Sequence, residues 1–440
     1  MESFKELRSK NLLTKFADSN TLGSYDFLSQ VIQLNSIEKR HIEELQGKSK
    51  ELGLDCYNIS RCIFPLLSHE QAHWVDSTST LWGFEFIEKA YQCLSISSAE
   101  QINGQSEEGF YIKKTFYDDI HKIKYPRYYS TTGNLTGGQP WRYQYSMGKL
   151  FDKSGIVSEC PIFFTRFNDI NGNLISREPF SLCSILEASA TYQELMTEVS
   201  LLHALLKDDE ALIESELLKQ RYMSRIYDGS LTEYSIATHK ISNELKLSDV
   251  IEAYGLSASL GHLSLNFHPE YFEKINPELI YGEDHPFLEG IKISLRSKDR
   301  AVLYMLLCDA VSAKHAITPV SRQNIRVTVQ EILSDFSVSL DEMAERVEEK
   351  MMEIATNVSS KYRDDYSCNL LITGVGRFKS LGIMAEGLYP FKEFSASGAV
   401  LGDDYYFDPY GSEDHSYEDR YLRMSSFLEH LSSFSEACIY

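Results

Sequence analysis

The sequence has little of several features that mark whole classes of protein. Its eight cysteines include no Cys-x-x-Cys pair and are spread along 440 residues, which argues against a cysteine-ligated zinc site and indicates free thiols. Positive charge is scarce, since 43 lysines and arginines stand against 64 aspartates and glutamates, for a formal net charge of -21. Because such a surface repels phosphate groups and anionic lipid, we expect neither nucleic acid nor a membrane as a partner.

Long apolar runs are also lacking. The most apolar stretch, residues 301–311, is about half as long as a membrane span and contains Asp309, so it predicts a buried helix. The opening segment, MESFKELRSKNLLTKF, carries charges throughout and has no apolar centre of the kind found in secretion signals. We therefore expect a cytoplasmic protein.

The chain is longer than the usual size of one hydrophobic core, so we expect several subdomains. Changes in composition predict four: an N-terminal helical region at 1–56, a mixed core at 57–205, a helical domain at 206–360, and an acidic, tyrosine-rich region at 361–440 that packs on the core. The predicted fold class is α+β, mostly helical, with a small antiparallel or mixed sheet and additional helical regions.

Local patterns predict some of the elements. Residues 161–167 and 173–176 are rich in β-formers and flank an Asn-Gly turn, which indicates a hairpin. Apolar residues between 182 and 199 recur every three or four positions, which predicts a helix with one buried stripe. Gly374 and Gly376 lack the third glycine of a dinucleotide-binding loop, and their spacing favours a simple turn.

The segment HEQAH at residues 69–73 carries the strongest chemical signal. We expect a helix here from about residue 59, with Pro65 in its first turn. Histidines four positions apart lie on one helix face, where both imidazoles can bind one ion at about 2.0–2.1 Å. Glu70 would project to the side of the ion and accept a proton from a metal-activated water as that water attacks a carbonyl. The alternative is a polar helix face with two solvated histidines.

A catalytic zinc site needs a third protein ligand and one open position. The common short patterns do not supply that ligand here. Six residues past His73, where metzincins have a histidine, the sequence has Ser79. Twenty residues past His73, where thermolysin-like enzymes have a glutamate, it has Cys93. The third ligand must therefore come from a more distant segment.

We expect that ligand to be Glu187. It lies in a strongly helical segment, and the small residues at 188–190 would let that helix approach the histidine helix closely. Glu194, one heptad further along the same face, is an alternative. So are Glu85 and Glu88, in the segment that follows the histidines.

A His-Glu-x-x-His helix combined with a glutamate in a Glu-x-x-Ala-like helix far downstream resembles the gluzincin-type zincin peptidases. The resemblance covers residues 58–200 and rests on two short motifs. It implies a zincin-like catalytic core, with Glu70 as the general base and one Zn²⁺ as cofactor. The metal ligands would be His69, His73 and Glu187. In such enzymes an edge strand aligns an extended substrate, a role that the resemblance gives to residues 161–167.

The sequence therefore predicts a zinc-dependent metallopeptidase that acts on a protein or peptide. Helical regions on both sides of the core would restrict access, which favours a selective protease of a bacterial toxin or phage-defence type. One alternative is a catalytically silent zincin-like scaffold that acts through its interactions. The other is a metallohydrolase of a small amide.

Weaker signals have two interpretations each. Asp76 would either accept a hydrogen bond from a ligand histidine or serve the end of its helix. Tyr192 fits a core tyrosine better than a donor to an oxyanion. His262 and His268 are interpreted as incidental. The basic and aromatic residues at 122–149 favour a packed loop, or a loop that lines a substrate cleft, over a nucleic-acid surface.

Overall fold

The computed structural model describes residues 22–48, 52–103, 106–133, 141–151, 155–362, 365–411 and 416–437. The α-helices in these ranges are α1 (Lys39–Lys48), α2 (Leu54–Ser79), α3 (Leu81–Asn103), α4 (Glu107–Ile123), α5 (Leu182–Leu205), α6 (Asp208–Ile226), α7 (Thr232–Leu245), α8 (Val250–Asn266), α9 (Glu278–Tyr281), α10 (Leu288–Arg296), α11 (Arg300–His315), α12 (Ile325–Asp335), α13 (Leu340–Tyr362), α14 (Asp365–Leu381) and α15 (Tyr417–Ala437). The strands are β1 (Ser24–Asp26), β2 (Val31–Leu34), β3 (Thr131–Thr132), β4 (Arg142–Phe151), β5 (Val157–Asn168), β6 (Leu174–Pro179), β7 (Ala399–Leu401) and β8 (Tyr406–Phe407).

The predicted fold class is confirmed at this level, because the described chain is mostly helical and contains two small sheets. The predicted buried helix at 301–311 is also present, as the first part of α11. Across the described ranges, every helix is too short or too polar to traverse a bilayer. The boundaries of the four predicted regions remain a prediction.

The first sheet joins distant parts of the chain. Its strand order is β1-β2-β7-β8, with β2 parallel to β7 and the other pairs antiparallel. Strands β1 and β2 occupy part of the region at 1–56 that the sequence predicts to be helical, so that prediction is wrong there, and residues 1–21 lie outside the described ranges. The partner of β2 lies more than 300 positions away, and no local pattern reveals such a pairing.

The second sheet is antiparallel, in the order β3-β6-β5-β4, and contains the predicted hairpin. Strand β5 pairs with β6 across a turn in which Gly172 has a φ of 88°, a conformation that suits glycine. Because β5 also pairs with β4, it lies in the interior of the sheet. The expectation that residues 161–167 form an edge strand is therefore wrong.

Helix α5 lies at the centre of the helical core. All residues from Leu182 to Gln193 are buried, so the predicted single stripe understates how completely other elements surround this helix. Ser181 caps its first turn. Helices α2 and α8 pack along it, and Gly261 of α8 lies so close that a Cβ there would be 2.7 Å from Ile185.

Helix α2 starts earlier than the sequence predicts. It begins at Leu54, after Gly53 with a φ of 142°, so Pro65 lies inside the helix rather than in its first turn. Because proline has no N–H, the carbonyl of Arg61 lacks its usual helical donor. The helix persists through this defect because all residues from 67 to 79 are buried against neighbouring elements.

The predicted turn at Gly374 and Gly376 is also wrong, since both residues lie inside α14. A Cβ at Gly374 would lie 2.1 Å from the carbonyl oxygen of Thr78. Glycine at this position therefore allows α14 to pack directly on the end of α2, and tertiary packing outweighs the low helix propensity of glycine.

Candidate metal centre

Helices α2 and α5 bring three potential metal ligands together. Ligand atoms of His69, His73 and Glu187 all lie within 4.8 Å of one another, and all three side chains are buried. Glu187 Oε2 lies 3.2 Å from His69 Nε2 and 3.8 Å from His73 Nε2. The histidines occupy one helix face, as the four-residue spacing predicts.

These distances suit one tetrahedral ion. Two ligand atoms that are each about 2.1 Å from a zinc ion lie about 3.4 Å apart, which is close to the contacts of Glu187 with both imidazoles. Two imidazoles and one carboxylate are also a donor set that catalytic zinc sites use. The three residues therefore fit a metal ion such as zinc.

The two helices run antiparallel and are joined at several levels. Near the end of α2, His73 and His69 meet Glu187. One level further, the Thr197 hydroxyl donates to Ser68 Oγ at 2.9 Å, and near the start of α2 the Tyr57 hydroxyl donates to Glu198 at 3.2 Å. Lower-numbered residues of α2 therefore contact higher-numbered residues of α5, as expected for antiparallel helices. The buried small residues at 188–190 allow this close approach, as predicted.

Glu194, an alternative third ligand in the sequence, contacts the other side of the His69 ring. Its Oε2 lies 3.2 Å from His69 Nδ1, while the Arg225 guanidinium donates to both of its oxygens at 2.5 and 3.3 Å. Burial raises the pKa of Glu194, but the charges of Arg225 and His69 outweigh it and lower this pKa to about 2. Glu194 is thus an ionised acceptor behind His69, the arrangement that would fix the tautomer of this imidazole if it bound a metal ion.

The ionisation of the histidines reflects these contacts. Burial opposes protonation of His69, but the hydrogen bonds with Glu187 and Glu194 prevail and raise its pKa to about 10. Burial lowers the pKa of His73 to about 4, with partial opposition from Glu187. The same histidines outweigh the burial of Glu187 and lower its pKa. A metal ion must therefore displace one proton, from His69, while His73 is already neutral.

Glu70 lies beside this cluster and does not belong to it. It is buried, and a Cβ at Gly23 would lie 2.7 Å from its Oε1, so the chain just before β1 runs directly against this carboxyl group. Burial raises the pKa of Glu70 to about 8, with the charge of His69 acting in the opposite direction. A carboxyl group with such a pKa can both take up and release a proton near neutral pH.

All four side chains face one open cavity with a volume of about 850 Å³. The cavity is bordered by β1 and the segment before it, by α1, by α2 from Asn58 to His73, by α5, and by residues of α6, α7 and α8. Strand β5 does not contribute to this wall, so the strand next to the site is β1 rather than the predicted segment at 161–167. The described parts of residues 122–149 form the end of α4, a 3₁₀ turn, β3 and β4, and they do not line the cavity either.

Tyr234 of α7 also lines the cavity, and the sequence gives no signal that would select it. The charge of Glu187, followed by burial, raises the pKa of Tyr234 well above its usual value. Its hydroxyl group therefore stays protonated and available as a donor. Tyr192 is a core residue, as predicted, and accepts a hydrogen bond from Arg322 at 2.9 Å.

The other sequence candidates lie elsewhere. Glu85 pairs with Arg300 at 2.9 Å, and Glu88 accepts a hydrogen bond from Asn357 at 3.4 Å. The carboxyl group of Asp76 accepts a hydrogen bond from the Tyr389 hydroxyl at 2.8 Å, so neither role predicted for it is correct. His262 and His268 lie outside the cluster, the only such group of potential metal ligands found within the described ranges.

Comparison with known proteins adds no relative. No protein-family model matches the chain, and neither a curated protein nor a solved structure matches it. Any function must therefore be argued from the site itself.

Proposed function

We propose that this protein is a zinc-dependent metallopeptidase with a zincin-like core. In this proposal His69, His73 and Glu187 bind the ion, and Glu70 is the general base. The observation that carries the proposal is that two imidazoles and a carboxylate converge on the wall of an open cavity, next to a buried glutamate with a raised pKa. A purely structural site needs neither the open cavity nor the glutamate.

When bound, a zinc ion supplies a Lewis acid that polarises a carbonyl group and makes water more acidic. Glu70 accepts the proton that this water releases and later delivers it to the leaving amine. A bound zinc ion would place positive charge beside Glu70 and lower its pKa from about 8, so the carboxylate would be ionised and able to accept a proton near neutral pH.

Tyr234 completes the proposed reaction centre. Its protonated hydroxyl group lies in the same cavity as Glu187, on a different helix from the ligands. From there it donates a hydrogen bond to the negatively charged oxygen that develops as the carbonyl is attacked. Glu194 contacts no substrate in this scheme and acts by orienting His69.

The size of the cavity favours a peptide over a small amide. A volume of about 850 Å³ lies near the upper end of the range for small-molecule pockets, and the cavity extends from the ligands along the first half of α2. The lining residues of α2 run from Asn58 to His73, about 22 Å along the helix axis, which matches about six to seven residues of extended chain. This arrangement supports a selective protease.

The metal part of the proposal is tested by metal analysis of the purified protein. We expect about one zinc per chain, with loss of the metal in His69→Ala/His73→Ala. His41→Ala is the matched control, because His41 lines the same cavity and lies outside the ligand cluster. Protein that binds no zinc after zinc is supplied, or an equal loss in the control, would contradict the proposal.

The catalytic part is tested with Glu70→Gln on a peptide library, with mass spectrometry to detect products. We expect cleavage to disappear while the zinc content stays unchanged. Glu44→Gln is the control, since Glu44 lines the cavity but pairs with Lys48 at 3.4 Å. Retained zinc without any cleavage by the wild-type protein would favour the silent scaffold.

A further inference from the structure

The cavity extends from the metal ligands along helix α2 towards its N-terminus. Its wall there is apolar and includes Ile59, Ile63 and Leu66. Arg61, which is half-buried, lies within this apolar stretch and also faces the cavity. A cation therefore lies at some distance from the ligands, beside Tyr57, whose hydroxyl donates to the cavity-lining Glu198.

The two arginines that line the cavity differ in their partners. Arg225 is engaged by Glu194 through both carboxylate oxygens. Arg61 has no carboxylate within ion-pair distance in the part of the chain that the structure describes, and its guanidinium lies 5.9 Å from the centre of the Tyr57 ring. The ring stack orients the guanidinium group and leaves its N–H donors available.

The carboxylates of the cavity wall are already neutralised or lie at the ligands. Glu198 pairs with Arg221, and Glu44 pairs with Lys48. Glu70 and Glu187 lie at the reaction centre itself. Because Glu194 already engages Arg225, Arg61 is the arginine of the cavity wall that can pair with a carboxylate of the substrate.

We propose that Arg61 binds a carboxylate of the substrate and so contributes to its selection. Arg61 precedes His69 by eight positions on one helix, which corresponds to about 12 Å along the axis. An extended peptide advances about 3.3 Å per residue, so the carboxylate lies about three to four residues from the bond that is cleaved. The carboxylate belongs either to an aspartate or glutamate side chain or to the C-terminus of the peptide.

This inference rests on the proposed function for the position of the cleaved bond, but a binding experiment tests it without catalysis. A random peptide library is passed over the immobilised, zinc-loaded Glu70→Gln protein, and the retained peptides are sequenced. We expect acidic residues to be enriched, and the enrichment to fall about tenfold when Arg61→Gln is added. Arg61→Lys should keep part of it, because lysine retains the charge but lacks the planar fork of donors.

A matched control separates the site from overall charge. Arg296→Gln removes the same charge from an exposed residue of α10 outside the cavity, and we expect it to leave the enrichment intact. Two sub-libraries, one with free carboxyl ends and one with amidated ends, distinguish the two sources of the carboxylate. If Arg61→Gln reduces retention only of peptides with free carboxyl ends, the bound carboxylate is the C-terminus. If it reduces retention in both sub-libraries, the bound carboxylate belongs to acidic side chains.

Cleavage of the same library by the wild-type protein then measures how many residues separate the bound carboxylate from the cleaved bond. The expected result is an acidic group three or four residues to one side of the bond that the wild-type protein cleaves, and no such preference in Arg61→Gln. Identical selection by the parent and Arg61→Gln proteins, or no retention of any peptide, overturns the inference about Arg61. Selective retention of acidic peptides without cleavage by the wild-type protein supports the inference about Arg61 and contradicts the proposed peptidase activity.

Discussion

Replacing Glu194 by glutamine removes the charge behind His69 and keeps the size of the side chain. In the structure Glu194 Oε2 lies 3.2 Å from His69 Nδ1, and His69 Nε2 lies 3.2 Å from Glu187 Oε2. A proton on Nδ1 that is held by Glu194 leaves Nε2 free for the ion. Glutamine still offers a carbonyl oxygen as acceptor, so we expect zinc to bind more weakly by about 10- to 100-fold, or about 1.4–2.7 kcal/mol, rather than to be lost.

Glu198→Gln is the matched control for this substitution. Glu198 lies one turn further along α5, lines the same cavity and also carries a negative charge. Its partners are Tyr57 and Arg221 instead of a ligand histidine. Competition with a chromophoric chelator measures the zinc affinity of each protein, and denaturant titration of the metal-free proteins measures their stability. We expect Glu198→Gln to change the affinity by less than about threefold.

The comparison between the two variants decides the role of Glu194. Equal zinc affinities in Glu194→Gln and Glu198→Gln would show that the contact with His69 does not orient the ring. A loss of affinity that follows a large loss of stability in the metal-free protein would instead assign Glu194 to the packing of α5. The role proposed here requires a large change in affinity with a small change in the free energy of unfolding.

Tyr234→Phe is expected to lower kcat by about a hundredfold with little change in KM, because it removes the donor and keeps the ring; steady-state kinetics that show an unchanged kcat would exclude this role. Asp76→Asn is expected to stabilise the protein by up to about 4 kcal/mol above about pH 7 and little below pH 3.8, the ordinary pKa, since burial raises the pKa of Asp76 to about 7. In the wild-type protein, the stability that protonated Asp76 contributes is fully present below pH 3.8 and is lost as the pH rises through about 7. Urea titrations of both proteins at the two pH extremes measure the difference in unfolding free energy, and a difference that does not change with pH would contradict this prediction. Gly374→Ala is expected to cost about 1–3 kcal/mol, because the new Cβ would lie 2.1 Å from the Thr78 carbonyl oxygen. Gly376→Ala, in the same helix with no atom within 4 Å of its Cβ, is expected to be neutral or to stabilise by up to about 1 kcal/mol, and equal effects of both in denaturant titrations would refute the packing argument.

The parts of the site that depend on helix periodicity could be predicted from the sequence. A four-residue spacing places His69 and His73 on one face in any α-helix, and the small residues after Glu187 indicate a helix that can approach another closely. The structure brings these three residues together. The hairpin formed by β5 and β6 could also be predicted, because strand propensity and turn chemistry are both local properties of the sequence.

The parts that depend on non-local contacts could not be predicted. Strand β2 pairs with β7 from the far end of the chain, and Tyr234 and Arg225 reach the cavity from helices that no motif connects to the histidines. Gly374 shows the reverse case, in which a local signal misleads. Glycine favours a turn on propensity alone, but here its missing side chain makes room for another helix.

Glu187 and Glu194 both contact His69 in the structure, although they are competing candidates in the sequence. The sequence presents them as alternative third ligands, since they lie seven positions apart on one face of one helix. Seven residues span about 10 Å of helix, enough for two carboxylates to reach towards each other with an imidazole between them. In the structure the His69 ring occupies that position, with Glu187 at Nε2 and Glu194 at Nδ1. A histidine that binds a metal through one nitrogen needs an acceptor at the other, so acidic residues one heptad apart on a facing helix satisfy both requirements at once.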